Sequence, residues 1–150
     1  MTRHLAALLA VASIAALGAG AAAAATAPSA TTGPVNSVSP TTATFTGTVN
    51  PNGTATSWHF EYGTTTGYGS TTTAGNAGSG TSNVPVSFAV TGLTAGTTYH
   101  YRLVATSTAG TTRGADGVVT TTAAPQVVTG SATNVTPSSA TLNGTVNPSG

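Results

Sequence analysis

Residues 43–49 alternate strictly: Ala43, Phe45, Gly47 and Val49 stand between Thr44, Thr46 and Thr48. A period of two is that of an extended chain with one face turned to an apolar interior. The same rhythm returns where Trp58, Phe60 and Tyr62 flank His59 and Glu61. It returns again where Tyr99, Tyr101, Leu103 and Ala105 flank His100, Arg102 and Val104. Val84, Val86, Phe88 and Val90 predict a further strand, and Pro85, which has no N–H to give a ladder, points to an edge or a strand start. Val118 and Val119 with Thr120–Thr122 predict the last strand. Between these lie turn signals such as Asn50-Pro51-Asn52-Gly53, where Pro presets φ and Gly accepts a positive φ. The Gly/Thr/Ser-rich stretch Gly63–Gly80 predicts short edge strands and loops. Threonine suits all of this, because its branched Cβ is stiff and fits a pleated surface. About seven short strands parted by turns roughly every 8–12 residues predict an all-β sandwich. The alternation nominates Phe45, Trp58, Phe60, Tyr62, Leu93, Tyr99, Tyr101 and Leu103 as its core.

The chain also repeats itself. Residues 27–53 align without gaps on residues 124–150, Pro40 on Pro137 and Asn50-Pro51 on Asn147-Pro148, an offset of 97. About half of the aligned positions are identical, Gly47/Gly144 and Val49/Val146 among them. A period of this size is too long for a solenoid coil and suits an array of whole domains. Residues 34–122 read as one complete module, 26–33 as a linker and the start of its first strand, 123–127 as a second linker, and 128–150 as the truncated opening of a homologous module.

Residues 1–25 have a different character. Arg3 and His4 precede the uncharged run Leu5–Gly20, and Ala21–Ala25 supplies small residues. That is the order of a secretory signal helix with an Ala-x-Ala cleavage site. The run is also nearly long enough to span a bilayer, at about 20 residues, but Ala and Gly make it weakly hydrophobic. Export with cleavage after Ala25 is the expectation.

Composition narrows the chemistry. Only 3% of the 150 residues are charged: Arg3, Arg102, Arg113, Glu61 and Asp116, with no Lys. Nucleic-acid binding needs clustered cations and is excluded. Without cysteine there is no disulfide, thiolate nucleophile or Cys-based zinc site. No Ser lies in a Gly-x-Ser-x-Gly elbow, and Gly63–Gly80 lacks the Gly-Lys-Ser/Thr ending of a phosphate loop. Glu61 and Asp116 fall on a strand face and in a loop, which disfavours paired-carboxylate catalysis. Three Asn-x-Thr sequons, at Asn52, Asn134 and Asn143, read as turn and strand chemistry, with glycosylation left open.

The stretch Leu93-Thr-Ala-Gly-Thr-Thr-Tyr99-His-Tyr-Arg-Leu-Val-Ala105-Thr-Ser-Thr-Ala-Gly110 resembles the most diagnostic segment of fibronectin type III domains. The resemblance implies an immunoglobulin-like sandwich in which Tyr99 is the tyrosine corner and Leu93 caps the core. Trp58-x-Phe60-x-Tyr62 looks like the family's third strand and Ala43–Pro51 like its second. The family carries a core Trp on that second strand, whereas this chain has Gly47 there, so Trp58 is the candidate to replace its bulk. Arg113-Gly-Ala-Asp116 resembles the family's Arg-Gly-Asp signal but is broken by Ala115 and reads as a polar loop. With the Ala-rich leader, the likeness implies a bacterial secreted or cell-surface protein.

Period two turns His59, Glu61, His100 and Arg102 outward, and neighbouring third and sixth strands would gather them on one solvent-facing patch. That patch is a cross-strand ion pair with solvated histidines, a polar docking face, or a two-His-one-carboxylate metal site; the first is preferred. No catalytic residue, cofactor or metal is assigned. The expected function is a non-catalytic spacer, stalk or adhesion module. The alternative is an accessory spacer or carbohydrate-binding module of a secreted polysaccharide-active enzyme whose catalytic domain lies beyond residue 150. The partner stays open between cell-wall or extracellular polysaccharide and another surface protein, with further tandem modules in the same chain. Expression in a secreting bacterial host should release a chain whose N-terminal residue is Thr26. Intact-mass measurement checks this, and retention of residues 1–25 on the released protein would contradict it.

Overall fold

The computed structural model describes residues 24–149, so the expected leader falls almost wholly outside the described residues. The described chain is all β. Its strands are β1 (Ser29–Asn36), β2 (Thr42–Asn50), β3 (Thr56–Gly63), β4 (Ser70–Thr71), β5 (Gly75–Gly78), β6 (Val84–Thr91), β7 (Thr98–Ser107), β8 (Gly110–Arg113), β9 (Gly117–Thr120), β10 (Gln126–Thr129) and β11 (Gly144–Asn147).

Two antiparallel sheets face each other across one core. The smaller has the order β1-β2-β6. The larger runs β4-β3-β7-β8, with β5 also on β3 and β9 also on β7. Apolar alternation decides which side of each strand faces in. Phe45, Val49, Val86 and Val90 come from the smaller sheet, and Phe60, Tyr99, Tyr101, Leu103 and Ala105 from the larger; all are buried. Phe45 stacks on Tyr101 with ring centroids 4.6 Å apart and planes 10° from parallel. Phe60 meets Phe45 at 5.7 Å in a tilted arrangement. Leu93 is buried at one end of this core, while Trp58 and Tyr62 are part-buried against its margin.

Hydrogen bonds stitch β1 to the opposite sheet. The Tyr101 hydroxyl donates to the Gly33 carbonyl at 2.8 Å, and the Leu103 N–H donates to Thr32 Oγ1 at 3.1 Å. Gly47 makes this approach feasible. A Cβ there would stand 2.7 Å from both Leu103 Cδ2 and the Thr31 carbonyl oxygen, so Leu103 occupies the space a side chain would take. Trp58 does not fill that place; its indole lies over Gly75 of β5 and meets Phe60 edge-on at 5.9 Å. At the other end, the Thr94 N–H donates to the Tyr99 hydroxyl at 3.0 Å. Thr121, itself buried, accepts from the Thr97 N–H and donates to the Thr94 carbonyl, closing the Leu93–Thr98 turn against the last strand.

The structure differs from the sequence expectation at the end of the module. Instead of one final strand there are two, β8 and β9, on the same side of β7. Gly114 separates them: its N–H donates to the Leu103 carbonyl at 2.8 Å, and a Cβ on it would strike Thr32.

Beyond residue 122, β10 and β11 pair antiparallel with Gln126 opposite Asn147 and Val127 opposite Val146. In the first module Ser29 lies opposite Asn50 and Ala30 opposite Val49. The two hairpins therefore share one register at the repeat offset of 97. Their burial differs: Phe45 is 0% exposed and its counterpart Leu142 is 85% exposed. Truncation should expose that difference. Phe45→Ala should lower stability by about 3–5 kcal/mol, because it removes an aromatic ring from a close-packed interior. Leu142→Ala should change it by less than about 0.5 kcal/mol. Urea unfolding followed by the emission of Trp58, the only tryptophan, measures both.

Candidate functional site

The outer face of the larger sheet carries the polar side chains singled out in the sequence. β3 presents His59 and Glu61, and β7 presents His100 and Arg102. The antiparallel register sets Glu61 directly opposite Arg102, His59 opposite Val104, and Gly63 opposite His100. Directly opposed residues share a face. Arg102 Nε and Nη2 each lie 2.6 Å from Glu61 Oε2. His59 lies on the same face but takes no part in that pair.

Two residues that sequence reasoning left outside this patch complete it. Tyr68, in the loop after β3, places its ring under Arg102, the guanidinium carbon 4.3 Å from the ring centroid. Its hydroxyl donates to Asp116 Oδ1 at 2.9 Å. His100 Nδ1 meets the other oxygen, Oδ2, at 2.7 Å. Asp116 therefore does not stand apart in a loop, as the sequence had implied; it lies on the face with Glu61, bonded to side chains from two directions.

The loop reaches this position through its backbone. Tyr68 has a φ of +59° and Gly69 follows at +92°. A non-glycine residue in the left-handed region carries a conformational cost of roughly 1–3 kcal/mol, and here its side-chain partners hold it there. Gly63 is the platform, since any Cβ on it would collide with the Tyr68 carbonyl. The signals for this arrangement were present in the sequence as Gly63, Gly67 and Gly69 around a lone tyrosine. Their pairing with Asp116, 48 residues later, is a product of the fold.

Electrostatics follow from these contacts. The hydrogen bond from His100 lowers the Asp116 pKa, aided by the Tyr68 hydroxyl and opposed by partial burial. Burial and the bond to Asp116 raise that of Tyr68. Among the described residues no three His, Asp or Glu side chains come together as a metal site. His100 is committed to Asp116 and Glu61 to Arg102, so the three-ligand arrangement considered from sequence is not assembled. The face is open, and no cleft or cavity is present among the described residues.

No family model matches the chain, that of fibronectin type III included, and no curated protein matches it. Solved structures do. A short form of the sensor domain of the anti-sigma factor RsgI4 of Pseudobacteroides cellulosolvens superposes with a TM-score of 0.52 at 15% identity, covering 65% of this chain and 97% of that one. A solution structure of the same sensor domain gives a TM-score of 0.48 at 14% identity, covering 63% and 75%. The first likeness is one of fold. It supports the β-sandwich reading of the larger part of the chain.

Asp116 generates a test. A carboxyl whose pKa is depressed by folding stabilises the protein above its unfolded pKa, and that contribution disappears as pH falls through the lower folded value. Stability of the parent should thus decline below about pH 4 as Asp116 is protonated. Asp116→Asn should lower stability at neutral pH and flatten the decline on the acid side. Thermal melts of both proteins across the acid range check this, and parallel profiles would show that Asp116 is not responsible.

Proposed function

We propose that this chain is an exported, non-catalytic structural protein whose residues 34–122, together with the start of β1 from Ser29, form a fibronectin type III-like module serving as a spacer or stalk. The observation that carries this reading is the repeated register at an offset of 97, which puts one hairpin design at two places in the chain. Residues 128–150 are then the opening of a second homologous module, and the chain is built by tandem repetition.

Strand order supports the type of sandwich. β1, β2 and β6 share one sheet and β3, β7 and the final β8 and β9 share the other, like the immunoglobulin ABE and CFG halves. The Thr94–Tyr99 bond has the form of a tyrosine corner. The surface suits a role outside the cell, because threonine hydroxyls hydrate without charges that salt would screen. Mechanical resistance also follows from the topology: β1 is bonded into both sheets, so pulling on the N-terminal side must break ladder and cross-sheet contacts together.

Single-molecule stretching of the chain between inert handles tests the proposal. The first module should resist and then yield in one step, releasing about 300 Å of contour for its ~90 residues at ~3.4 Å each. Smooth extension without a force peak would contradict the spacer function.

A further inference from the structure

The described residues contain two arginines, two acids and two histidines, and all six lie on one face of the module. His59, Glu61, His100 and Arg102 alternate outward on β3 and β7. Arg113 is opposite Val104, which is opposite His59, so it belongs to the same face, and Asp116 is bonded to His100 there. The outer face of the smaller sheet is paved instead with Thr42, Thr44, Thr46, Thr48, Ser87 and Ala89. Charges kept for solubility are interspersed over a surface, not gathered on one side of it.

We propose that this face is a docking surface for an uncharged polysaccharide. The module would then be a binder as well as a spacer, a role that goes beyond the scaffold reading.

Three features select this chemistry. The face is internally neutral: Glu61 is paired with Arg102 and Asp116 with His100 and Tyr68, leaving little field to attract a charged polymer. It also offers donors and acceptors. Both Arg102 contacts fall on Glu61 Oε2, so Glu61 Oε1 and Arg102 Nη1 take no part in the ion pair and can each meet an incoming group. A sugar hydroxyl both donates and accepts, and can use such a pair where a carboxylate or an ammonium cannot. Finally, Tyr68 is a part-exposed aromatic ring with the Arg102 guanidinium against one face, fixed through its hydroxyl. A fixed ring gives the C–H face of a pyranose an apolar seat at low entropic cost.

Shape agrees. Adjacent strands lie about 4.8 Å apart and alternate residues about 7 Å, so the row His59–Val104–Arg113 and the rows through Arg102 and His100 cover roughly 10 by 14 Å. That is an open platform for an extended chain rather than an enclosure for a small molecule. A protein partner would seek aromatic or aliphatic anchors in its interface core. Val118 is the only large hydrophobic side chain of the first module that is exposed among the described residues.

Affinity electrophoresis tests the proposal. The chain is run through gels holding mixed-linkage β-glucan, xyloglucan, galactomannan or arabinoxylan, with alginate and polygalacturonate as charged controls. At least one neutral polymer should retard it, with little dependence on salt. Tyr68→Ala and Arg102→Gln should each weaken retardation about tenfold, equivalent to ~1.4 kcal/mol. Thr44→Ala and Ser87→Ala, on the opposite sheet, should leave it unchanged. Tyr68→Phe keeps the ring and should retain most of the binding, and thermal melts of every variant separate lost binding from lost folding. Retardation by no neutral polymer, by the charged polymers alone, or undiminished in Tyr68→Ala and Arg102→Gln overturns the proposal. None of these outcomes bears on the stretching behaviour, so the scaffold reading stands or falls separately.

Discussion

The stacking of Phe45 on Tyr101 fixes how the two sheets lie on one another, and much else is placed by it. Phe45 comes from the centre of the three-stranded sheet and Tyr101 from the centre of the larger one. A near-parallel pair contributes about 0.5–1.5 kcal/mol beyond the area it buries, and it also restricts relative sliding of the sheets. With the ring held, the Tyr101 hydroxyl reaches Gly33 and draws β1 across the opening between the sheets. Two residues along, Leu103 takes the room left by Gly47 and its N–H is bonded to Thr32. A bulky residue at 47 would lift β1 from β7. Leu103 thus fills the space above Gly47, with Trp58 left at the margin of the core.

The outer face inherits its order from this inner one. Because side chains of a strand alternate, seating Tyr101 and Leu103 inside leaves His100 and Arg102 outside, with no further specification needed. Glu61 is opposite Arg102 for the same reason: Phe60 and Tyr62 must face in. A slip of one residue between β3 and β7 would bury charges and expose rings, so the ion pair is protected by the hydrophobic effect more than by its own strength.

This explains what could be read from the chain before its structure. Strands β2, β3, β6 and β7 were legible, since each buries one face and shows it as alternation. So was the outward set of four polar residues, which is the complement of the same pattern. Strand β8 was not, because Gly110–Arg113 is polar throughout and pairs through its backbone alone. Tyr68 and Asp116 were missed as partners for another reason. Their contact depends on a left-handed backbone at Tyr68 and on the packing of its loop over Gly63, and neither leaves a periodic trace. Local pattern finds elements, whereas meetings between loops need the whole fold.

The second hairpin separates what local sequence fixes from what a domain adds. Its register reproduces that of β1 and β2, so turn chemistry and strand pattern suffice to set the pairing. Val127, Val146 and Leu142 nonetheless remain exposed, where Ala30, Val49 and Phe45 pack into the first module. An isolated two-stranded ribbon is marginal in water, because it has no facing sheet against which to bury such side chains. Pairing thus specifies the hairpin, but the aromatic layer contributed by β3 and β7 stabilises it. The same division applies to the polar face: period two supplies its side chains, and only a completed sandwich brings strands and loops together to hold Tyr68 on Asp116.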